Sequence, residues 1–157
     1  MSFTLRFATT NDWQTIRSFA EAVEPDDRAA NDDWMANRQK FDTTRYERKH
    51  YLALDETQHV VGYGAIEQGP GVLHYRMFLV IRPGLTTSGV WEVLFNQLMQ
   101  ELQALKASKV WAREYARGHY AEAVGFFAAN GFRETHRVST KTHSGADVVM
   151  VRLERNL

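Results

Sequence analysis

The sequence predicts a mixed α/β (α+β) fold, a single sheet with helices packed on it, and three observations carry that expectation. Strand-type alternation and helix-type periodicity take turns along the whole chain, in the order βααβββαβαββ. Glycine, proline and short polar clusters fall between the periodic runs, where turns are needed. Hydrophobic residues make up 44% and aromatics 12% of the 157 residues, enough to fill one core. With no internal repeat, low-complexity tract or linker, residues 1–157 read as one domain.

Each element has a local reason. Phe3, Leu5 and Phe7 alternate with Thr4 and Arg6, the pattern of a half-buried strand. Thr10, Asn11 or Asp12 then caps a helix whose apolar residues Trp13, Ile16, Phe19, Ala20 and Val23 share a face, and Pro25 breaks it. A second helix carrying Trp34 and Met35 is expected over residues 28–40, and Glu24, Asp26, Asp27, Asp32 and Asp33 form an acidic cluster around its start. Residues 51–54 and 60–66 are apolar runs joined by a polar turn, which predicts an antiparallel hairpin. Gly69, Pro70 and Gly71 make the next turn, and residues 72–81 continue the meander.

A long helix is expected over residues 89–107, with Val90, Val93 or Leu94, Leu98, Leu102 and Leu105 inward and Gln97, Gln100, Glu101 and Gln103 outward. Residues 110–115 read as a short strand and 121–130 as a short helix, with Gly131 where a C-cap belongs. Strands near 132–141 and 147–154, separated by a turn at Ser144 and Gly145, complete the pattern.

Charge and composition narrow the function. Nineteen basic and nineteen acidic residues cancel, which removes the electrostatic reason to expect nucleic acid or an anionic membrane as partner. A small ligand is favoured. The absence of cysteine excludes disulfides, thiolate metal sites and a cysteine nucleophile. The six histidines, His50, His59, His74, His119, His136 and His143, form no pair at helical metal-ligand spacing, so no metal is expected. No signal peptide or membrane span is legible, and a soluble cytoplasmic protein is the default expectation.

The most informative stretch joins the apolar strand of residues 77–81 to the long helix through Arg82, Pro83 and the loop Gly84, Leu85, Thr86, Thr87, Ser88, Gly89. Free N–H groups at a helix N-terminus suit an anion such as a pyrophosphate. A simpler reading is equally consistent: Thr87 or Ser88 caps a core helix and binds nothing.

Two stretches carry a resemblance to a known family: Val80-Ile81-Arg82-Pro83 with the following Gly84 to Leu94, and Ala123-Val124-Gly125-Phe126-Phe127-Ala128-Ala129-Asn130-Gly131-Phe132. The chain resembles the GNAT superfamily of acyl-CoA-dependent N-acyltransferases over almost its whole length. Its N-terminal part, with Pro25-Asp26-Asp27 and Trp34, is similar to one half of bacterial proteins built from two GNAT domains. The resemblance implies a mostly antiparallel sheet of about seven strands with a splayed central pair, about four flanking helices, acetyl-CoA as acyl donor, a small-molecule amine as acceptor, and a homodimer as the usual assembly.

The family's pyrophosphate loop reads Arg or Gln, two variable residues, Gly, one variable residue, then Gly or Ala. Here those positions hold Thr86, Thr87, Ser88, Gly89, Val90 and Trp91, and one of the signature positions survives. Gly89 keeps a backbone that a phosphate can approach, and the hydroxyls of Thr86, Thr87 and Ser88 are potential donors. Trp91 departs most: its indole either points into the core or crowds the cofactor. The resemblance also places the backbone of Leu79, Val80 and Ile81 against the amide arm of the cofactor, since an amide can extend an open sheet edge; a fully buried central strand is the compatible plain reading.

For the chemistry, the resemblance points to Glu114, beside the expected splay, as the base, with Glu67 in reserve. The family's tyrosine acid falls on Phe127, which has no proton to give, so Phe127 is left to line the cofactor and Tyr120 or Tyr115 to supply the acid. The Val80 N–H is the expected oxyanion contact. The acidic cluster would lie beside the acceptor cleft, where it attracts a cationic amine or simply caps helix ends. Two functions follow: an N-acetyltransferase working by direct attack in a ternary complex, or a catalytically degenerate GNAT-fold module for ligand binding or subunit interaction, which Thr86, Trp91 and Phe127 favour.

Overall fold

In a computed structural model of the chain, residues 2–23, 48–85, 88–115, 120–141 and 145–157 are described. The elements are β1 (Thr4–Phe7), a single 3-10 turn (Thr10–Asp12), α1 (Trp13–Val23), β2 (Arg48–Leu54), β3 (Val60–Gln68), β4 (His74–Ile81), α2 (Val90–Ala104), β5 (Lys109–Tyr115), α3 (Tyr120–Ala129), β6 (Arg133–Lys141) and β7 (Asp147–Asn156). The helix expected over 28–40 and the acidic cluster of Glu24, Asp26, Asp27, Asp32 and Asp33 lie outside the described residues. Among the described residues no helix is long and apolar enough to cross a membrane.

All seven strands join one sheet in the order β1-β2-β3-β4-β5-β7-β6, mixed and mostly antiparallel, as expected. Only β4 and β5 run parallel, and they pair at just three positions, His74 with Lys109, Tyr75 with Val110 and Arg76 with Trp111. Beyond Arg76 and Trp111 the two strands part. Each stays attached on its other side: β4 follows β3 from Tyr75 to Ile81, and β5 follows β7 from Lys109 to Tyr115. The sheet is therefore two half-sheets hinged at a short parallel ladder, with a gap that opens toward Ile81 and Tyr115.

Alternation along β4 sends Met77, Leu79 and Ile81 to one face, where they meet Val90, Leu94 and Leu98 of α2. The opposite face holds Phe78 and Val80 against the apolar stripe of α1, Trp13, Ile16, Phe19 and Val23, together with Leu52 and Tyr63. Buried within that layer, His50 Nδ1 lies 2.7 Å from the Tyr63 hydroxyl, with the Trp13 ring edge-on to the imidazole. Both Tyr75 and Trp111 belong to the interior, at 3% and 8% exposure.

Close contact between α2 and the sheet depends on Gly62 and Gly64. A Cβ on Gly64 would stand 3.1 Å from Leu98 Cδ1 and 3.3 Å from both Leu79 Cδ2 and Leu94 Cδ2. The helix lies where a side chain on β3 would otherwise be.

Among the differences from the sequence expectation, two boundaries and one exposure have local reasons. The helix stops at Ala104 because Lys106 turns left-handed, φ 55°, while the Ala107 N–H bonds to Leu102 O at 3.0 Å, closing the C-terminal turn. Strand β4 begins at His74, since Gly71 O accepts the His74 N–H and leaves Val72 83% exposed in the turn. Phe7, expected to be half-buried, is 49% exposed: β1 is an edge strand, and the ring is met by Tyr51 edge-on at 5.5 Å and by the Lys49 ammonium at 5.9 Å.

Gly64→Val is expected to overpack this helix–sheet contact and destabilise the protein by about 1–3 kcal/mol, read as a lower denaturation midpoint in urea with an unchanged slope.

Candidate functional site

The gap between β4 and β5 and the start of α2 lie at the same end of the sheet. Strand β4 leaves the sheet at Ile81, Arg82 is tied back by its N–H to Val61 O at 3.0 Å and by its guanidinium to Val60 O at 2.7 Å, and the chain turns into α2. Gly89 is the N-cap, with φ 90° and ψ −2°, a left-handed conformation that side chains other than glycine's resist. Among the described residues no side chain caps the helix. The first-turn N–H groups, which have no intrahelical acceptor, are thus directed to the loop side.

Thr86 and Thr87 lie outside the described residues, as do the side chains of Tyr115 and Tyr120. Ser88 donates its hydroxyl proton inward, to Leu85 O, and its N–H to the same oxygen at 3.1 Å. That proton is committed to the loop's own turn and is not a donor to a ligand.

Trp91 turns inward. It is 5% exposed and its ring meets Phe126 of α3 at 5.2 Å, beside Phe95, which meets the same ring edge-on at 5.4 Å. The indole takes the space between α2 and α3 and does not project toward the loop. Its Nε1 has no hydrogen-bond partner, so the ring is held by packing alone. Phe127 is fully buried and packs on Phe132 at 4.9 Å, so it belongs to this aromatic core and presents no surface to a ligand.

Along the gap, Leu79 and Ile81 bury their side chains under α2 while Val80 is half-buried on the α1 face. Between Met77 and Ile81 the side of β4 that faces β5 has no ladder partner. Alternate N–H and C=O groups there form an open edge about 16 Å long, at ~3.3 Å per residue.

Two candidate carboxylates lie on different faces of the sheet, Glu67 at the closed end of the gap and Glu114 toward its open end. Glu114 lies in the part of β5 beyond its ladder with β4, opposite Val151 of β7, on the face that Val110 and Ala112 turn toward the core under α2 and α3. Glu67 is opposite Arg76 on β3 and lines a cavity of about 480 Å³ with Arg76, Trp111 and the Gly69–Pro70–Gly71 turn. Sequence reasoning did not single out Arg76, Arg113 and Arg152, which surround Trp111 at 5.1, 5.7 and 4.1 Å from its ring centre. The available signal was Arg113 two residues past Trp111 on one strand, but the approach of Arg152 and Arg76 is a product of strand order.

This architecture matches solved structures. A GNAT superfamily phosphinothricin acetyltransferase from Sinorhizobium meliloti in complex with AcCoA superposes with a TM-score of 0.76 at 18% identity, covering 100% of this chain and 89% of that one. The chain has the GNAT fold. A GCN5-related N-acetyltransferase from Kribbella flavida gives 0.75 at 18% identity over 99% and 98% of the two chains, and a ribosomal-protein-alanine N-acetyltransferase from Brucella melitensis gives 0.71 at 19% over 98% and 99%. No protein-family model and no curated protein matches the sequence itself. At such identities the GNAT fold is shared and the site residues have to be argued from this chain.

Replacing Trp91 tests its packing role. Trp91→Phe, which sacrifices no hydrogen bond and keeps an aromatic ring against Phe126, is expected to cost clearly less than Trp91→Ala, which should cost about 3–5 kcal/mol, both measured by urea unfolding.

Proposed function

We propose that this protein is an N-acetyltransferase that holds acetyl-CoA in the gap between β4 and β5 and passes the acetyl group to the amine of a small molecule. The observation that carries the reading is the parting of β4 from β5 with the left-handed Gly89 cap of α2 at its open end. An anionic head at the first-turn amides and an amide-bearing arm along Leu79, Val80 and Ile81 would bring a thioester to the closed end, beside Arg76 and Trp111. Inward packing of Trp91 supports it, because the indole itself does not project toward the first-turn amides.

The chain has no cysteine to carry an acyl group, so the amine attacks the thioester directly. The nitrogen–carbon bond forms as the carbon–sulfur bond breaks, and a backbone N–H of β4 just past Arg76, where the ladder to β5 ends, is our choice for the developing oxyanion. The Val80 N–H, four residues further on and about 13 Å away at ~3.3 Å per residue, is too distant for a carbonyl at the closed end. Glu67 takes the amine proton on this reading, because it lines the cavity at the closed end, while Glu114 lies on the core-facing side of β5. CoA then leaves as a thiolate that takes a proton from solvent or from Tyr120. A second reading, a binding module without turnover, draws its support from Phe127, a buried ring without a proton in the place where the family carries its acid.

Calorimetric titration with acetyl-CoA should give saturable micromolar binding, and Gly89→Val, which forces a β-branched residue into φ 90°, should abolish it. Silence at millimolar acetyl-CoA would remove the reading; binding without acetylation across an amine panel would leave the module. Glu67→Gln is expected to lower kcat by about 10²–10⁴-fold with acetyl-CoA affinity unchanged, and Glu114→Gln to change it little. The reverse order would transfer the base to Glu114.

A further inference from the structure

We propose that the acceptor amine carries an anionic group, a carboxylate or a phosphonate, held by Arg113 and Arg152 beside the Trp111 ring. The inference rests on the acetyl-transfer reading, which places the reacting carbonyl at the closed end of the gap.

Arg113 and Arg152 stand directly opposite each other in the β5–β7 ladder, so both side chains leave the same face. His136 continues the row on β6, opposite Arg152. Like charges facing across strands destabilise a sheet, and here they are drawn closer by one indole: the guanidinium groups of Arg113 and Arg152 lie 5.7 and 4.1 Å from the centre of the Trp111 ring. Glu154 bonds to Arg152 at 3.0 Å and also approaches Lys109 at 3.8 Å, so one carboxylate is shared between two cations. Arg113 is exposed, and among the described residues no carboxylate pairs with it. Among the described residues, Arg113 thus adds a positive charge beside Arg152 that no carboxylate balances.

An oxyanion between the guanidinium groups would relieve that repulsion, and the planar fork of arginine fits a carboxylate or phosphonate with two hydrogen bonds. The location sets the size of the ligand. Trp111 is the last β5 residue paired with β4, and Arg113 is two residues further along the gap, about 7 Å at ~3.3 Å per residue. An amine separated from its anion by one to three carbons spans that distance. The chain's net charge of zero, and the flanking carboxylates Glu67 and Glu154, argue for a compact anion over a polyanionic partner.

The test uses 2-aminoethylphosphonate and β-alanine as probes, with propylamine as the analogue lacking an anion. Each is titrated calorimetrically into the protein with and without saturating acetyl-CoA, and thiol release is followed with each as acceptor. At least one anionic amine should bind saturably and be used with a kcat/KM at least tenfold above that of propylamine. Arg113→Gln should raise its Kd and KM at least tenfold, with acetyl-CoA affinity unchanged and the melting temperature held or raised, since a like-charge neighbour is removed; Arg113→Lys should recover part of the loss. Equal use of propylamine, no saturable binding of either anionic amine, or an Arg113→Gln variant that keeps the preference would overturn the assignment.

A parallel titration with succinyl-CoA separates the two sources of such an anion. Loss of succinyl-CoA affinity in Arg113→Gln, with no discrimination among the amines, would assign the oxyanion to the acyl chain and overturn the acceptor version. Failure of the underlying reading is distinguishable, because it silences the acetyl-CoA titration itself.

Discussion

The parting of β4 from β5 rests on an aromatic wedge between two helices. Helix α2 lies over β3 and β4, α3 lies over β5 and β7, and Trp91, Phe95, Phe126, Phe127 and Phe132 fill the space where the two helices meet. Each half-sheet is thereby fastened to its own helix. Large rings keep the helices apart, and the parallel ladder persists only from His74 to Arg76, below them. Burial of such rings contributes some of the largest individual hydrophobic terms in a domain of this size. A gap with an open backbone edge is therefore maintained by well-packed apolar groups and does not rest on strain in the strands.

Trp91 shows how a departure from the family pattern is absorbed by the same wedge. At the second residue of α2 its side chain is directed back and sideways into the groove against Phe126, not up into the loop. On the acetyl-transfer reading this position calls for an unobstructed approach to the first-turn amides, and a large side chain is compatible with that when a neighbouring helix offers it an aromatic partner. Gly89 is under a different constraint. Open space surrounds its Cα, but its left-handed φ of 90° is a backbone demand that packing cannot relax.

The two faces of the sheet divide the labour. Glycines at 62 and 64 bring α2 down onto the sheet on one face, and that face is nearly all apolar. On the other face α1 covers β2, β3 and part of β4, and past β4 the covering hydrophobic layer gives way to arginines laid around Trp111. Cation–π contact lets these guanidinium groups lie flat on an apolar ring while their edges stay available to solvent or a ligand. The closed end of the gap is consequently apolar on one side and charged on the other, with arginines and the Glu67 and Glu154 carboxylates around Trp111.

Short-range pattern was sufficient for the elements, and only the assembled chain could place the site. Alternation at Met77, Leu79 and Ile81, the helical stripe of Val90, Leu94 and Leu98, and glycine at 89 and 131 determined strand, helix and cap, because each depends on backbone geometry within a few residues. The direction of the Trp91 indole, the burial of Phe127 and the inward hydroxyl of Ser88 depended on which surfaces α3 and the loop presented to them. Glu67 and Arg113 are far apart in the chain and reach the two sides of Trp111 through the order β3-β4-β5-β7, which no local periodicity encodes. Local sequence determined which segments became strands and helices and where glycine had to stand; tertiary structure alone decided which charges surround the gap, since that is set by long-range strand pairing and by the volumes of side chains packed between distant helices.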